Sequence, residues 1–472
     1  MQLDETKLLS MDHAERQSLL ATTPEDQWLE RKSARVTADV FAKSIIGMAN
    51  AEGGLVVVGI SDGAVEDPSA DTRHINELRR VPHTHCAPPP RVRFAELPVD
   101  DGKVVLLADV SPGRTVHEST SGHCYLRVGD STMKLSAAQR EELLYDRGAA
   151  EYEARPMPGI TTSSLDPSLV GGLRKAIGAQ GDDERVLAAR SLLDLHGEVT
   201  IAAYLLLAPR PQELMPHAHV RVLRYLSTHA GTGGRQSLAD DGDRRIEGPI
   251  PHVIEQAAAL VDEWMPRRRA LREDGKFGPA DVVPRDAWLE GLVNAVVHRS
   301  YSMAGDHIRV HLYPDRVEIE SPGRFPGIVD PERPLEIARY ARNPRIARVC
   351  NDLGITQEKG EGILRIFDEM RMRGLADPIY RQTSGSVRLT LLSTPRLDAE
   401  TEARLPGGAH GVLEVLRAAG RPLGTGEIAV GIGRQRPATI RALKALQEVG
   451  EVVWEGKSPK DPRATWRLPG GN

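Results

Sequence analysis

Apolar and polar positions along the chain fall into three stretches with different periods. In the first stretch, apolar residues recur three and four apart over Val36–Ala51, which predicts an amphipathic helix. Short apolar runs bounded by glycine and Asp-Gly turn signals then predict strands, and a closing helix follows. These later elements are Leu55–Ile60, Val104–Val110, Cys124–Val128 and the helix Ala137–Tyr145. The pattern favours a compact α+β unit in which a helix precedes the sheet.

The second stretch mixes longer helical periods with alternating strands. His307–Tyr313 and Arg316–Ser321 flank the turn Pro314–Asp315 and predict a β-hairpin. The other predicted elements are helices at His252–Leu271, Asp286–Val297 and Gly360–Arg373 and a strand at Val387–Leu392.

The last stretch is short and self-contained. It predicts three helices followed by two strands, the element order of a winged helix-turn-helix whose third helix enters the DNA major groove. The predicted elements are Gly411–Ala419, Thr425–Val430, Pro437–Val449, Glu451–Glu455 and Ala464–Leu468.

Together the three patterns predict an α+β multidomain protein. We expect an α+β domain at 11–150, an α/β domain at 184–394 and a winged helix at 409–470. Linkers are predicted at 151–183 and 395–408, where proline and glycine are frequent.

Composition adds two constraints. Few cysteines, and no apolar run of the ~18 residues that a membrane span needs, lead us to expect a cytoplasmic protein that does not enter a membrane. The formal charge of the chain is −5, so contact with nucleic acid must come from local basic patches.

One basic patch lies in the last stretch, where residues 410–468 hold ten Lys and Arg against six Asp and Glu. Both cations neutralise phosphates, and arginine also reads base edges. We therefore expect contact with double-stranded DNA from the third helix, its approach and the hairpin loop. The candidates are Arg434, Arg436, Thr439, Arg441, Lys444, Lys457 and Lys460. A dimerisation module with a solvated basic face is the alternative.

The middle stretch carries Glu290, Asn294 and His298 four residues apart, on one face of a predicted helix. An asparagine carbonyl can coordinate Mg²⁺ on a phosphate and a glutamate can deprotonate water, although a solvated polar stripe has the same spacing. Glycines also stand where the backbone can approach a phosphate, one after a strand and two before a helix. They are Gly323, Gly360 and Gly362.

Five segments follow one another over 280–392: LEGLVNAVVHRSY, VEIESPGRFPG, NPRIARVCNDLG, EKGEGILRIFDEM and GLADPIY. In order and spacing they resemble the divergent ATPase domain named after the C-terminal region of RecG helicase, which is similar to the GHKL ATPases. The resemblance implies an α/β sandwich that binds ATP, or a related purine nucleotide, with Mg²⁺. It implies Glu290 as general base and Asn294 as magnesium ligand, with His298 and the three glycines shaping the pocket. Ser321 stands where the class has the aspartate that reads adenine, so we expect nucleotide binding with weak ATPase turnover at most.

The string WLERKSARVTADVFAKSIIGMANAEGGLVVVGISDG, with the later YLRVGDSTMKLS, resembles the Schlafen AlbA-like domain. That family is described as DNA-binding, and its pairing with this ATPase domain is typical of bacterial transcriptional regulators. The resemblance therefore leads us to expect phosphate contacts from cations near the first helices. They are Arg31, Lys32, Arg35 and Lys43.

Some Schlafen-type proteins cleave RNA with three carboxylates, and Glu25, Glu30 and Asp62 lie at positions resembling that triad. Such a cluster would hold a divalent metal and activate water. The competing explanation is that Glu30 pairs with Lys32 or Arg31, and that Asp62 stabilises its turn.

The sequence thus favours a nucleotide-responsive transcriptional regulator that binds operator DNA. We expect a homodimer, because a palindromic operator matches two-fold protein symmetry. A metal-dependent nuclease acting in defence, and an interaction scaffold with a vestigial nucleotide site, are the alternatives.

Overall fold

The computed structural model describes three successive units of mixed helices and strands. The described residues are 5–61, 63–99, 102–231, 233, 236–271, 277–325, 334–336, 341–356, 361–383, 385–394, 405–406, 408–419, 421–456, 461 and 464–468.

The N-terminal unit is an α+β domain. Its helices are α1 (Glu5–Ser10), α2 (His13–Thr22), α3 (Ala38–Asn50), α4 (Thr72–Thr84) and α5 (Ala137–Asp146). Its strands are β1 (Leu29–Lys32), β2 (Gly54–Val58), β3 (Ile60–Ser61), β4 (Ala64–Val65), β5 (Cys86–Ala87), β6 (Val92–Pro98), β7 (Val104–Val110), β8 (Glu118–Ser119), β9 (Tyr125–Val128) and β10 (Ser131–Lys134). The main sheet has the order β1-β2-β7-β6, with β1 and β2 parallel and the other neighbours antiparallel.

The apolar run along β2 is explained by helices on both faces of this sheet. Val56 and Val58 pack with α3 and α4, whereas Leu55 and Val57 pack with Leu20 of α2 on the other side. A strand buried on both faces loses the alternation of a half-exposed strand. The turn before β2 needs glycine, because Gly53 has a φ of 80° and a Cβ there would lie 2.6 Å from the Val110 carbonyl oxygen.

The middle unit is larger. Its helices are α6 (Pro167–Ala176), α7 (Asp183–Ala189), α8 (Ile201–Leu207), α9 (Ile250–Trp264), α10 (Arg285–Val297), α11 (Pro344–Asp352) and α12 (Gly362–Met372). Its strands are β11 (Val220–Tyr225), β12 (Leu238–Ile246), β13 (Arg267–Leu271), β14 (Phe277–Asp281), β15 (Ile308–Tyr313), β16 (Arg316–Pro322), β17 (Ile379–Gln382) and β18 (Ser386–Leu392). Six of them form a mixed sheet in the order β12-β11-β15-β16-β18-β17, and β13 pairs with β14.

The helices of the middle unit pack on one face of the six-stranded sheet. Val310 and Leu389 of the sheet share a large buried core with Trp288 and Leu292 of α10. The predicted hairpin is confirmed: β15 and β16 pair Tyr313 with Arg316 across a two-residue turn. This layering holds α10 against β16, the strand that ends at Pro322.

Two expectations for this unit need correction. The predicted helix His252–Leu271 ends at Trp264, and Arg267–Leu271 is a strand instead. Pro266 explains the difference, since the residue before a proline disfavours the α region. The predicted linker 151–183 contains α6, and Leu165 and Val170 lie in the middle unit's core, so this segment belongs to the domain.

The C-terminal unit has three helices and a small sheet. The elements are α13 (Ala409–Ala419), β19 (Leu423–Gly424), α14 (Thr425–Gly431), α15 (Arg436–Glu448), β20 (Val453–Glu455) and β21 (Thr465–Arg467). The strands pair in the order β19-β21-β20, and Leu416, Leu443 and Trp466 share one buried core. Helix and strand positions agree with the sequence expectation to within a few residues. Within the described ranges, no helix is both long and apolar enough to cross a membrane.

Candidate functional site

Three of the predicted nucleotide-site residues, Glu290, Asn294 and Gly362, meet where α12 begins against α10. Asn294 Nδ2 donates a hydrogen bond to Glu290 Oε1 one helical turn away, at 3.3 Å. Gly362, the first residue of α12, packs directly on this pair: a Cβ there would overlap Glu290 Oε1 and lie 3.2 Å from Asn294 Nδ2. Only glycine fits this approach of the two helices without displacing the carboxylate.

The electrostatic environment of Glu290 is that of a partly buried, lightly paired carboxylate. Burial raises its pKa, while Arg365 and the hydrogen bond from Asn294 act in the opposite direction. Arg365 Nη1 lies 3.5 Å from Glu290 Oε2. A carboxyl group with a raised pKa binds a proton more readily, which suits a general base.

His298 and Gly323 both lie near Arg342, His298 at the C-terminal end of α10 and Gly323 after β16. His298 caps the helix, and burial with the nearby Arg342 charge lowers its pKa to about 4. Gly323 has a φ of 107°, and a Cβ there would overlap Arg342 Nη1 and lie 2.8 Å from Ser300 Cβ. His298 is therefore a neutral neighbour of Arg342, and Gly323 is required by close packing as well as by its backbone conformation.

Ser321, at the position of the missing aspartate, has an internal partner. Its hydroxyl donates to the Ala295 carbonyl oxygen at 2.8 Å and ties β16 to α10. Gly360, the remaining predicted pocket residue, lies outside the described residues.

The residues at the α10–α12 junction fit a nucleotide with magnesium. Glu290 and Asn294 supply oxygen donors of the kind that Mg²⁺ prefers. Within the described part of the chain, Asn294 Oδ1 accepts no hydrogen bond, and no side chain caps the N-terminus of α12. The first N–H groups of a helix that lacks such a cap can bind phosphate oxygens.

The N-terminal carboxylates are held by cations and hydroxyls. Glu30 is 4% exposed, and its carboxylate lies 2.5 Å from Lys32 Nζ and 3.2 Å from Arg127 Nη1. Ser44 and Thr132 hydroxyls donate to it as well. This crowded environment matches the structural explanation of Glu30, in which its charge is compensated inside the domain.

Of the other two members of the resembling triad, the structure describes only Glu25. Glu25 Oε1 accepts the backbone N–H of Arg31 at 2.7 Å, and Asp62 lies outside the described residues. Among the residues that the structure describes, no group of three His, Cys, Asp or Glu side chains is arranged to hold a metal ion.

The four N-terminal cations divide into two pairs. Arg31 donates to the Leu20 and Ala21 carbonyl oxygens, and Lys32 pairs with Glu30, so both are engaged inside the domain. Arg35 and Lys43 have exposed side chains, and Lys43 Nζ lies 5.9 Å from the centre of the Tyr125 ring. Of these four cations, Arg35 and Lys43 are therefore the two that are exposed to solvent. The sequence did not distinguish them from the engaged pair.

On the C-terminal helix α15, the predicted cations Arg436, Arg441 and Lys444 are exposed. Thr439 is a correction: it is fully buried, and its hydroxyl donates to the Gln435 carbonyl oxygen, so it cannot face DNA. Arg434 is partly exposed, whereas Lys457 and Lys460 lie outside the described residues.

Three arginines at these sites were assigned no role from the sequence. Arg127 holds Glu30, Arg365 holds Glu290, and Arg342 packs on Gly323. Arg127 and Arg365 stand inside quoted motifs, so their presence was a signal. Which carboxylate each one meets depends on packing between distant elements.

Comparisons with known proteins agree with two of the sequence resemblances. Residues 25–136 match the family model "Schlafen, AlbA_2", and residues 305–391 match "Putative ATP-dependent DNA helicase recG C-terminal". The second match begins after α10, so Glu290 and Asn294 precede it. A comparison with curated proteins gives no match.

Among solved structures, the chain is similar to the DIP2311 protein from Corynebacterium diphtheriae. The two are 21% identical, with 99% of this chain and 98% of that chain covered, and the TM-score is 0.41. The family matches thus confirm that this chain carries a Schlafen AlbA_2 domain followed by a domain of the RecG C-terminal type.

Proposed function

We propose that the protein is a nucleotide-responsive, DNA-binding transcriptional regulator. It binds ATP or a related purine nucleotide with Mg²⁺ in the middle domain, and the nucleotide changes its affinity for operator DNA. The observation that carries the proposal is the α10–α12 junction, where Gly362 admits the uncapped start of α12 to the Glu290–Asn294 pair.

Each residue of this junction has a distinct task. Asn294 Oδ1 would coordinate the metal, and the first N–H groups of α12 would hold phosphate oxygens. Glu290 would accept a proton from water, with Arg365 fixing its orientation. Bound Mg²⁺ would neutralise charge on the phosphates. Because Ser321 carries no carboxylate for the adenine amino group, turnover is slow or absent.

Two separate units contribute to DNA binding in this proposal. The C-terminal unit acts as a winged helix that places α15 in the major groove of a double-stranded operator, with Arg436, Arg441 and Lys444 exposed on it. The AlbA_2 domain adds phosphate contacts through Arg35 and Lys43. The regulator works as a homodimer in the cytoplasm, since two-fold operators pair with two-fold proteins.

The nuclease alternative loses support at Glu30. A carboxylate that already contacts Lys32, Arg127 and two hydroxyls has its charge compensated without a metal.

The nucleotide proposal is tested by thermal unfolding with ATP, ADP, GTP and dATP, each with and without Mg²⁺. A ligand at 100 times its Kd adds about 2.7 kcal/mol to the free energy of unfolding. We expect stabilisation by a purine nucleotide that requires Mg²⁺ and disappears in Asn294→Ala. Asp286→Asn, an exposed change in the first turn of the same helix, is the matched control. Absence of stabilisation by every nucleotide would overturn the proposal.

The DNA part is tested by binding to labelled duplexes. Arg436→Ala or Arg441→Ala should weaken binding by ~1–3 kcal/mol and relax sequence preference if the side chain reads a base. Thr439→Val, at the buried position, should leave both unchanged. Full operator affinity in a chain shortened at residue 406 would contradict the role of the winged helix.

A further inference from the structure

Carboxylates of the N-terminal domain bind residues of the middle domain that surround Gly323. Glu52, in the turn between α3 and β2, forms an ion pair with Arg324, the residue after Gly323. Its Oε1 also accepts a hydrogen bond from Gln382 of β17 at 2.9 Å, and its Oε2 accepts one from Gln27 at 2.6 Å. One carboxylate therefore links the AlbA_2 turn to two strands' ends in the middle domain.

Helix α5 supplies the second and third links. Asp146 Oδ1, at its last residue, lies 2.5 Å from Arg342 Nη2, and Glu142, one turn earlier, accepts the Ser300 hydroxyl at 2.9 Å. Arg342 Nη2 also donates to the Arg324 carbonyl oxygen at 2.5 Å. The two arginines therefore touch each other, and each is held by a different carboxylate of the N-terminal domain.

Arg342 is the sensitive member of this contact. Its side chain is 3% exposed, yet among the residues that the structure describes its Nε and Nη1 have no hydrogen-bond partner. Nη1 packs on Gly323, so any shift of that glycine moves the guanidinium. A buried cation with unpaired donors carries a desolvation cost. A movement of the turn at Gly323 that gives these donors partners is therefore favourable.

The same carboxylates sit on the part of the AlbA_2 domain that leads to its exposed cations. Arg147, next to Asp146, donates to the carbonyl oxygens of Asn50 and Ala51 at the end of α3. Helix α3 carries Lys43, one of the two exposed cations. The end of α5, the end of α3 and the Glu52 turn therefore form one connected block.

We propose that Glu52, Glu142 and Asp146 are a relay through which a nucleotide bound in the middle domain changes the nucleic-acid affinity of the AlbA_2 domain. The relay rests on the proposed function, because it needs both ligands. Gly323 is one of the glycines that the resemblance to the RecG-type ATPase domain places at the nucleotide pocket, so a nucleotide in contact with it shifts Arg324 and Arg342. Both arginines are bound to the block that positions α3. The coupling is reciprocal, so DNA must change nucleotide affinity by the same factor.

The experiment measures, for the full chain, the Kd for a fluorescein-labelled DNA duplex with and without saturating Mg-ATP, and the Kd for Mg-ATP by calorimetry. We expect the wild type to show a DNA affinity ratio of about tenfold, within the range typical of allosteric coupling. In Glu52→Gln and Asp146→Asn the ratio should fall to about one, while Mg-ATP affinity stays unchanged.

Glu142→Ala removes only the hydrogen bond from the Ser300 hydroxyl and keeps the Glu52–Arg324 and Asp146–Arg342 ion pairs. The DNA affinity ratio of this variant should therefore be intermediate. The matched control is Glu118→Gln, whose carboxylate pairs at 2.5 Å with Arg140 of the same helix α5, inside the N-terminal domain. Circular dichroism and the melting temperature verify that each variant is folded.

Three outcomes would overturn the relay, and they differ in what they say of the proposed function. If folded Glu52→Gln and Asp146→Asn keep the wild-type ratio, the relay fails and the regulator proposal stands. If these variants lose Mg-ATP binding, the carboxylates belong to the nucleotide site and relay nothing. If the wild type binds no purine nucleotide, the proposed function fails and the relay fails with it.

Discussion

Glu30 and Glu290 are both glutamates that the sequence marks as candidate catalytic acids, yet the structure surrounds them differently. Glu30 contacts two cations and two hydroxyls, and it is 4% exposed. Glu290 has one arginine at 3.5 Å and one amide, and it faces the uncapped start of a helix.

The difference separates a structural carboxylate from a chemically available one. The Glu30 carboxylate stabilises the contact between β1, α3 and β9. It lies on β1 and binds Ser44 of α3 and Arg127 of β9. Burial raises the pKa of Glu290, and only one arginine opposes that effect by its charge. The number of partners around a buried carboxylate thus indicates its role better than the spacing of that residue in the sequence.

The largest expected effect is on stability at Glu30. Glu30→Ala leaves Arg127, which is 1% exposed, buried without its carboxylate. Breaking a buried ion pair by removing one partner costs about 3–5 kcal/mol, so urea unfolding should show a loss of that size. Glu96→Ala is the control: its side chain and that of its partner Arg79 are exposed, and ion pairs of that kind contribute about 1 kcal/mol or less. Similar losses in the two variants would remove the distinction drawn for Glu30.

The next effect concerns the glycine that brings α12 to Glu290. Gly362→Ala places a methyl group against the Glu290 carboxylate, and overpacking of this kind costs about 1–3 kcal/mol. The added methyl group also lies 3.2 Å from Asn294 Nδ2, the side chain proposed to hold the metal, so Mg-ATP affinity measured by calorimetry should fall as well. Gly305→Ala, where a Cβ meets nothing within 4 Å, should bind like the wild type. Unchanged affinity in Gly362→Ala would show that the junction is not the nucleotide site.

A third glutamate, Glu153, extends the comparison to the pH dependence of stability. Glu153 is fully buried and accepts the backbone N–H groups of Arg345 and Ile346 at the start of α11. Burial raises its pKa to about 7, from an ordinary 4.5. The folded protein therefore binds a proton that the unfolded chain has lost between these values, and this group's contribution to stability falls as pH rises from about 4.5 to about 7.

The measurement is the free energy of unfolding of the wild type and of Glu153→Gln at several pH values in that interval. The difference between the two curves should change with pH and level off above pH 7. The subtraction removes the contribution of His307, whose pKa is lowered to about 4 by burial and which acts with the opposite sign. Parallel curves would show that Glu153 does not titrate in this interval.

Much of the fold follows from local pattern, and little of the site's pairing does. The helix at Arg285–Val297 and the hairpin at residues 308–322 follow from apolar spacing and from a two-residue turn. The burial of Thr439 was missed because α15 turns that side chain to the core, which depends on helix packing. The pairing of Glu52 with Arg324 joins residues 272 apart, and nothing local in either segment specifies the other.

The smallest expected effect on stability is at Glu290, where a substitution should instead change ATP turnover. Glu290→Gln keeps the size of the side chain and retains an oxygen that can accept from Asn294. It removes the charge facing a single, partly exposed arginine, so the free energy of unfolding should change by about 1 kcal/mol or less. Mg-ATP affinity should stay near the wild-type value, because Asn294 and the α12 amides hold the ligand.

Any ATP turnover of the wild type, measured as phosphate release, should disappear in this variant, since its amide cannot accept a proton from water. Asn294→Ala should do the reverse and lose binding first. A Glu290→Gln variant that is destabilised as strongly as Glu30→Ala would place the two glutamates in the same structural class. Retained turnover would assign proton transfer to another group.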